Sequence, residues 1–173
     1  MKKRILTWLL AISMLGSLLT VPAGAAAVTK FSDVSDSYTA TAVEALRLMG
    51  VLDGYGDGTF RPDTILNRAQ FCKMAVYAMD GSGELGRYST VTIFPDVKHS
   101  HWASAYINMA ARKGIISGFA DGKFKPGQTV TAGQAVTILM RGLGYKDEDM
   151  GGVWPQGYMG EAQTCGLLKS TGI

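Results

Sequence analysis

The chain has one almost continuous apolar segment near its start, followed by several shorter segments in which apolar residues recur at helical spacing. Residues 5–21 are almost continuously apolar and follow a short basic start. In residues 42–49 the apolar side chains recur at helical spacing, and the same spacing returns in residues 71–79. Between them, residues 53–58 carry a glycine at every second position, which favours tight turns over a helix. The pattern therefore predicts a helix–loop–helix unit.

Local signals mark the ends of these predicted helices. Gly50 lies where a left-handed residue would end the first helix. Asn67 is a good N-cap for the second helix, and Gln70, three residues later, completes a capping box. In a later unit, Thr131 and Gln134 are predicted to take the same two roles.

The sequence repeats itself. At a shift of 64 residues it matches at glycine, acidic, aromatic and amide positions, namely Gly50/Gly114, Gly54/Gly118, Asp57/Asp121, Gly58/Gly122, Phe60/Phe124, Pro62/Pro126 and Gln70/Gln134. Phe31-Ser32-Asp33-Val34 matches Phe94-Pro95-Asp96-Val97 at a shift of 63. At a shift of 52, Trp102 falls on Trp154 and Gly114 on Gly166, so a third copy begins. We predict an all-α fold of two and a half helix–loop–helix repeats that pack on one another.

The predicted organisation is a signal segment followed by these repeats. The basic start, the apolar stretch and the small residues Ala23-Gly24-Ala25 have the layout of a secretory signal peptide, and a retained anchor helix is the alternative. The segments are assigned as signal peptide 1–27, repeat 1 at 28–81, a polar linker at 82–93, repeat 2 at 94–145 and partial repeat 3 at 146–173. The mature chain is therefore expected outside the membrane.

Composition and charge exclude two classes of protein. A hydrophobic content of 47% with 18% charged residues argues against wholesale disorder. Three of the 17 basic residues lie at Lys2, Lys3 and Arg4, so the remaining chain balances its 14 acidic residues and gives no argument for nucleic-acid binding. Secretion permits disulfides, but we expect no bridge between Cys72 and Cys165.

No pattern in the sequence supports an enzyme, a cofactor or a metal site. There is no G-x-S-x-G, H-E-x-x-H or P-loop motif, and no zinc-type cysteine or histidine spacing. The loop starting at Asp53 superficially resembles a calcium loop, but Tyr55 and Thr64 stand at ligand positions. It is read as a turn. His99 and His101 are interpreted as polar surface residues.

The order of these motifs resembles the S-layer homology domain. The pattern is F-x-D-V, an aromatic-led helix, G-[VI]-[LI]-x-G, a D-G-x-F-x-P loop and a T-R-A-E-like helix start. It covers residues 31–81 and 94–145, and its first half covers 154–173. The resemblance implies non-covalent anchoring of secreted proteins to bacterial cell walls. In this family three repeats commonly form a pseudo-threefold helical prism, whose grooves bind secondary cell-wall polysaccharide that often carries a pyruvate ketal.

The resemblance also suggests which residues contact the polysaccharide. The T-R-A-E motif reads Asn67-Arg68-Ala69-Gln70 in repeat 1, so Arg68 is the best candidate for pairing with the acidic group. The alternative is an ordinary solvated arginine at an exposed helix start, where alanine would barely change stability. In repeat 2, Ala132 replaces the arginine, and Gly133 weakens the helix start by about 1 kcal/mol. Partial repeat 3 lacks the motif.

Four further residues have more than one open interpretation. Asp33 and Asp96 either cap the following helix, or lock the start of the repeat, or contact sugar; the first two are favoured. Trp102 and Trp154 either stack on a sugar ring or fill the seam between repeats, and the seam is favoured.

Three functions remain open. The leading hypothesis is a secreted, non-catalytic module that binds secondary cell-wall polysaccharide. The runner-up is a degenerate interaction module that pairs with another S-layer homology chain through its incomplete third repeat. The third is the anchoring part of a longer enzyme.

Overall fold

A computed structural model describes residues 30–79 and 82–169, which form five α-helices. These are α1 (Ser37–Leu48), α2 (Arg68–Ala78), α3 (Ser104–Arg112), α4 (Ala132–Gly142) and α5 (Gln156–Thr164). Two short 3₁₀ helices span Ser82–Tyr88 and Asp147–Asp149. Within those residues there is no strand, and the all-α prediction is confirmed. The predicted signal peptide lies outside the described residues.

The predicted helix ends are confirmed. The Asn67 side chain accepts a hydrogen bond from the Gln70 amide at 2.9 Å, and the Gln70 side chain accepts one from the Asn67 amide at 2.9 Å. Thr131 and Gln134 form the same capping box at the start of α4. Gly50 has φ 72°, so it ends the first helix in the left-handed conformation that glycine adopts without strain.

The two repeat-start aspartates hold loops and do not cap helices. Asp33 accepts from the backbone amides of Phe60 and Arg61 at 2.7 and 2.6 Å. The N-cap of α1 is Asp36, and α3 begins without a side-chain cap. The helix-cap interpretation is therefore wrong, and the alternative that the aspartates lock the start of the repeat is confirmed.

Repeat 2 contains the same arrangement, in which both carboxylate oxygens of one aspartate accept loop amides; this arrangement is called the aspartate clamp. Asp96 accepts from the amides of Phe124 and Lys125 at 2.9 and 2.7 Å. Phe124 is fully buried, and its ring centroid lies 5.5 Å from that of Phe94. The clamp thus holds the loop so that its aromatic residue fills the core of the repeat.

Successive repeats pack through a recurring pair of helices. The second helix of one repeat packs on the first helix of the next, as α2 does on α3 and α4 does on α5, and α2 also packs on α4. No comparable helix packs on α1 in the described part of the chain. Among the described residues, one face of α1 is therefore left open.

The segment predicted as a polar linker packs closely on repeat 2. The 3₁₀ helix Ser82–Tyr88 lies against α3. Asn108 of α3 is fully buried, and its Nδ2 donates to the carbonyl oxygens of Tyr88 and Val91 at 3.2 and 2.5 Å. A buried amide with satisfied donors fixes the path of this segment.

Two further features of the described residues bear on the compartment and on redox chemistry. None of their helices is long and apolar enough to cross a bilayer. Cys72 is a buried free thiol whose pKa is raised to about 12 by burial, and Cys165 is an exposed free thiol.

Candidate functional site

Arg68 lies in the interface between repeats 1 and 2. Only 5% of the residue is exposed to solvent. Nε donates to the carbonyl oxygen of Phe124 at 2.8 Å, and Nη2 donates to that of Ser117 at 3.2 Å. The guanidinium carbon lies 4.4 and 4.7 Å from the ring centroids of Phe124 and Phe119. Burial lowers the pKa of the guanidinium. The expectation of an exposed arginine is therefore wrong.

Backbone hydrogen bonds bring Arg68 to the neighbouring repeat. The amides of Arg68 and Ala69 donate to the carbonyl oxygens of Gln128 and Pro126 at 2.9 and 3.0 Å. The amide of Val130 in turn donates to a carbonyl oxygen of repeat 1. The arginine of repeat 1 therefore donates its hydrogen bonds to the loop of repeat 2.

Arg68 lines a cavity of about 370 Å³, called here the first cavity. Its other polar and aromatic lining residues are Ser117, Phe119, Gln134, Thr137, Arg141, Asp147 and Trp154. It therefore combines side chains from all three repeats. Two guanidinium groups and one carboxylate line it, so the charge of the lining favours an anion.

Arg141 is the second guanidinium of the first cavity. Its Nε and Nη2 donate to the two carboxylate oxygens of Asp147 at 2.8 and 2.7 Å, and its Nη1 donates to Ser117 Oγ at 3.2 Å. The hydroxyl of Tyr158 also donates to Asp147. This hydrogen bond, together with the guanidinium, lowers the pKa of Asp147 although partial burial opposes the shift.

Sequence reasoning missed Arg141, Ser117 and Asp147 as site residues. At the 64-residue shift, Arg141 corresponds to Tyr77 and Ser117 to Asp53, so the repeat comparison did not single them out. One signal is present in the sequence. Arg141 and Asp147 lie six residues apart on either side of Gly144, whose φ is 97°, and a turn there brings the opposite charges together.

The two repeat-start tryptophans lie at cavity walls, and neither is buried in a seam. Trp154 is 53% exposed and Trp102 is 55% exposed. Trp154 donates from Nε1 to Thr137 Oγ1 at 3.0 Å, and both residues line the first cavity. Half of each residue stays exposed, so neither tryptophan fills a seam completely, and the choice between a seam contact and sugar stacking stays a prediction.

A second cavity of about 320 Å³ occupies the equivalent place after repeat 1. Its lining includes Tyr55, Arg61, Gln70, Lys73 and Trp102, each from repeat 1 or the start of repeat 2. Among the described residues, no arginine equivalent to Arg68 lines it. Its charged lining is Arg61, Lys73 and Asp53, and Lys73 pairs with Asp53 at 3.4 Å. The two cavities therefore differ in chemistry.

The other predicted site residues lie outside the first cavity. Asn67 caps α2, and Gln70 lines the second cavity while it also closes the capping box. Both carboxylate oxygens of Asp33 and of Asp96 accept backbone amides, and neither residue lines the first or the second cavity. They are therefore placed to support loops that form the cavity walls.

The start of α4 is shaped by repeat 3. A Cβ atom built on Gly133 would lie 2.8 and 2.9 Å from Cγ and Cβ of Pro155. The expectation that Gly133 merely weakens the helix is thus incomplete, because the glycine admits the proline ring. In the described ranges there is no group of three or more histidine, cysteine or acidic side chains that could hold a metal ion.

Comparison with known proteins gives consistent matches. The sequence model of the S-layer homology domain matches residues 30–72 and 93–136. A cell surface protein of Thermoanaerobacter kivui is 37% identical over 87% of this chain and 19% of its own length. A middle cell wall protein of Brevibacillus brevis is 32% identical over 83% of the chain and 14% of its own length.

A third relative is named for anchoring. The cellulosome-anchoring protein of Acetivibrio thermocellus is 31% identical over 65% of this chain and 26% of its own length. The chain thus spans about a quarter or less of the length of these curated relatives.

Proposed function

The chain belongs to the S-layer homology family, and from this premise we propose that it is a secreted, non-catalytic module that anchors to the bacterial cell wall. Its ligand is secondary cell-wall polysaccharide. The names of its relatives, a cell surface protein, a cell wall protein and a cellulosome-anchoring protein, support this location and role.

The observation that carries the proposal is the pair of guanidinium groups in the first cavity. Arg68 and Arg141 both line it, and guanidinium groups match carboxylates in planar, bidentate geometry. The ligand therefore carries an acidic group, and a pyruvate ketal on a terminal sugar supplies one. A volume of about 370 Å³ lies in the range of small-molecule sites.

Each candidate residue then has a specific role. Nε and Nη2 of Arg68 are taken by carbonyl oxygens, so its Nη1, which has no acceptor among the described residues, faces the acidic group. The half-exposed ring of Trp154 packs on the sugar, and Gln134 offers a polar contact. Trp102 has the equivalent place in the second cavity, where Arg61 and Lys73 supply the positive charge.

Sedimentation with purified cell walls tests this function. The protein without its predicted signal segment is mixed with walls, and with the same walls after removal of the non-peptidoglycan polysaccharide. We expect co-sedimentation with intact walls and none with stripped walls. Co-sedimentation that survives stripping would show that peptidoglycan, or a non-specific surface, is the ligand.

A second candidate function is pairing with another S-layer homology chain, and the open face of α1 favours it. Leu48 and Met49 are 72% and 61% exposed at the end of α1. At the 64-residue shift these positions hold the charged residues Arg112 and Lys113. The fold of a repeat therefore does not require apolar side chains at these positions. The proposed partner contact is an apolar surface of another S-layer homology chain, because Arg112 and Lys113 stay exposed while α2 packs on α3, so a second helix does not cover these positions.

Sedimentation velocity discriminates this second candidate. Association that rises with protein concentration supports it. A strict monomer at high concentration argues against it.

A further inference from the structure

Ser117 joins the two guanidinium groups of the first cavity. Its carbonyl oxygen accepts from Arg68 Nη2 at 3.2 Å, and its hydroxyl oxygen accepts from Arg141 Nη1 at 3.2 Å. Both arginines therefore contact one residue, although they come from different repeats. An anion in the cavity lies within reach of both positive charges.

The two arginines differ in what holds them. Arg68 is bonded to neutral carbonyl oxygens, whereas the fork of Arg141 is filled by the carboxylate of Asp147 at 2.8 and 2.7 Å. This is the bidentate geometry in which guanidinium groups bind carboxylates in general. The protein thus already contains a carboxylate where an acidic ligand would bind.

Asp147 is the more exposed member of this ion pair, with 69% of its side chain exposed against 14% for Arg141. It lies in the exposed 3₁₀ helix Asp147–Asp149, while the Arg141 side chain is largely buried beside Ser117 and Tyr158. Displacement of Asp147 breaks its two contacts with Arg141 and the hydrogen bond from Tyr158, and an incoming carboxylate restores the two contacts with Arg141. The ordered guanidinium remains in place for the incoming group.

We propose that Arg141 is a second anion-binding residue of the first cavity, and that Asp147 is an internal carboxylate which occupies Arg141 until the carboxylate of the ligand replaces it. This inference rests on the proposed function and specifies how its site selects a ligand. The competition lowers the apparent affinity by the fraction of protein in which Arg141 is free. A neutral sugar does not replace Asp147, so the exchange acts on acidic sugars alone, and Asp147 sets how tightly they bind.

Calorimetric titration with a defined probe tests the exchange. The probe is the methyl glycoside of an N-acetylhexosamine that carries a cyclic pyruvate ketal, and its methyl ester is the neutral comparison. Asp147→Asn should bind the acidic probe about two- to five-fold more tightly than the wild type, because the competing charge is lost. Arg141→Gln should bind it about tenfold or more weakly.

Glu148→Gln is the matched control. Glu148 neighbours Asp147 in the same 3₁₀ helix, and its replacement removes the same charge. Among the described residues it pairs with Lys146, outside the cavity. We expect its affinity for the acidic probe to equal that of the wild type. Equal gains in Asp147→Asn and Glu148→Gln would show a general charge effect and overturn the exchange.

A nuclear magnetic resonance measurement on the wild type tests the exchange without relying on variants that must fold. The Nε–H resonance of Arg141 should shift when the acidic probe is added and stay in place with the methyl ester. Unchanged or weaker binding by Asp147→Asn, or a stationary Arg141 resonance at saturation, would overturn the inference while leaving the proposed function intact. Failure of the wild type to bind the acidic probe would overturn both.

Discussion

Arg68 in repeat 1 donates a hydrogen bond from Nε to the carbonyl oxygen of Phe124 in repeat 2, over 2.8 Å. The candidate ligand residue is therefore also a structural link between two repeats. Because its guanidinium is buried between aromatic rings, replacing it changes the interface as well as the cavity.

Arg68→Ala should lower the free energy of unfolding by about 2–4 kcal/mol. The variant leaves the carbonyl oxygens of Phe124 and Ser117 without their donors, and it removes a cation from between two rings. Urea unfolding followed by circular dichroism measures the change. Arg87→Ala, at an exposed position, is the control and should match the wild type. Identical midpoints for all three proteins would refute the structural role of Arg68.

Two glycine-to-alanine changes should have opposite signs. Gly160→Ala, in α5 with nothing within 4 Å of the added Cβ, should stabilise the protein by about 0.5–1 kcal/mol. Gly133→Ala should destabilise it by about 1–3 kcal/mol, because its Cβ would lie 2.8 Å from Pro155 Cγ. Chemical denaturation compares the two. A gain of stability in both variants would contradict the tight approach of repeat 3 to α4.

Stability should fall in acid because of the aspartate clamps. The amide of Phe60 lowers the pKa of Asp33 below 3.8. Burial opposes the same shift at Asp96, but the amides of Phe124 and Lys125 outweigh it and lower that pKa too. A depressed folded-state pKa means that the stabilisation is fully present above 3.8 and is lost as pH falls through the lower folded-state value.

Unfolding measured between neutral pH and pH below the ordinary carboxyl pKa tests this. Asp96→Asn should show a shallower acid decline than the wild type, since it has no proton to bind there. Asp63→Asn, at an exposed position in the loop of repeat 1, should keep the wild-type slope. Parallel curves for Asp96→Asn and the wild type would show that the clamp does not control the acid decline.

The open face of α1 gives a prediction for association. The double change Leu48→Arg and Met49→Lys installs the side chains that repeat 2 carries at the equivalent positions. If this face pairs with another chain, the variant should associate at least tenfold more weakly in sedimentation velocity, because apolar contact area is replaced by charge. Its unfolding midpoint should not change, since both positions are exposed. Equal association by both proteins would exclude this face.

Local features of the fold could be predicted from the sequence, and contacts between repeats could not. The capping box of Asn67 and Gln70 was predictable because all its atoms lie within four residues. Arg68 was misjudged because its burial depends on Phe124, 56 residues away. Arg141 was missed because the repeat comparison sets it against Tyr77, and because its contact with Ser117 joins residues 24 positions apart.

Titration of wild-type protein with native and carboxyl-reduced wall polysaccharide tests the central claim most directly. Reduction converts each carboxylate of the polymer to an alcohol and leaves the protein unchanged, so the buried Arg68 is not disturbed. The arginine-lined first cavity predicts that reduction weakens binding by about tens to thousands of fold, the effect of losing a buried charged contact. Equal affinity for the native and the reduced polysaccharide would contradict recognition of an acidic group by this cavity.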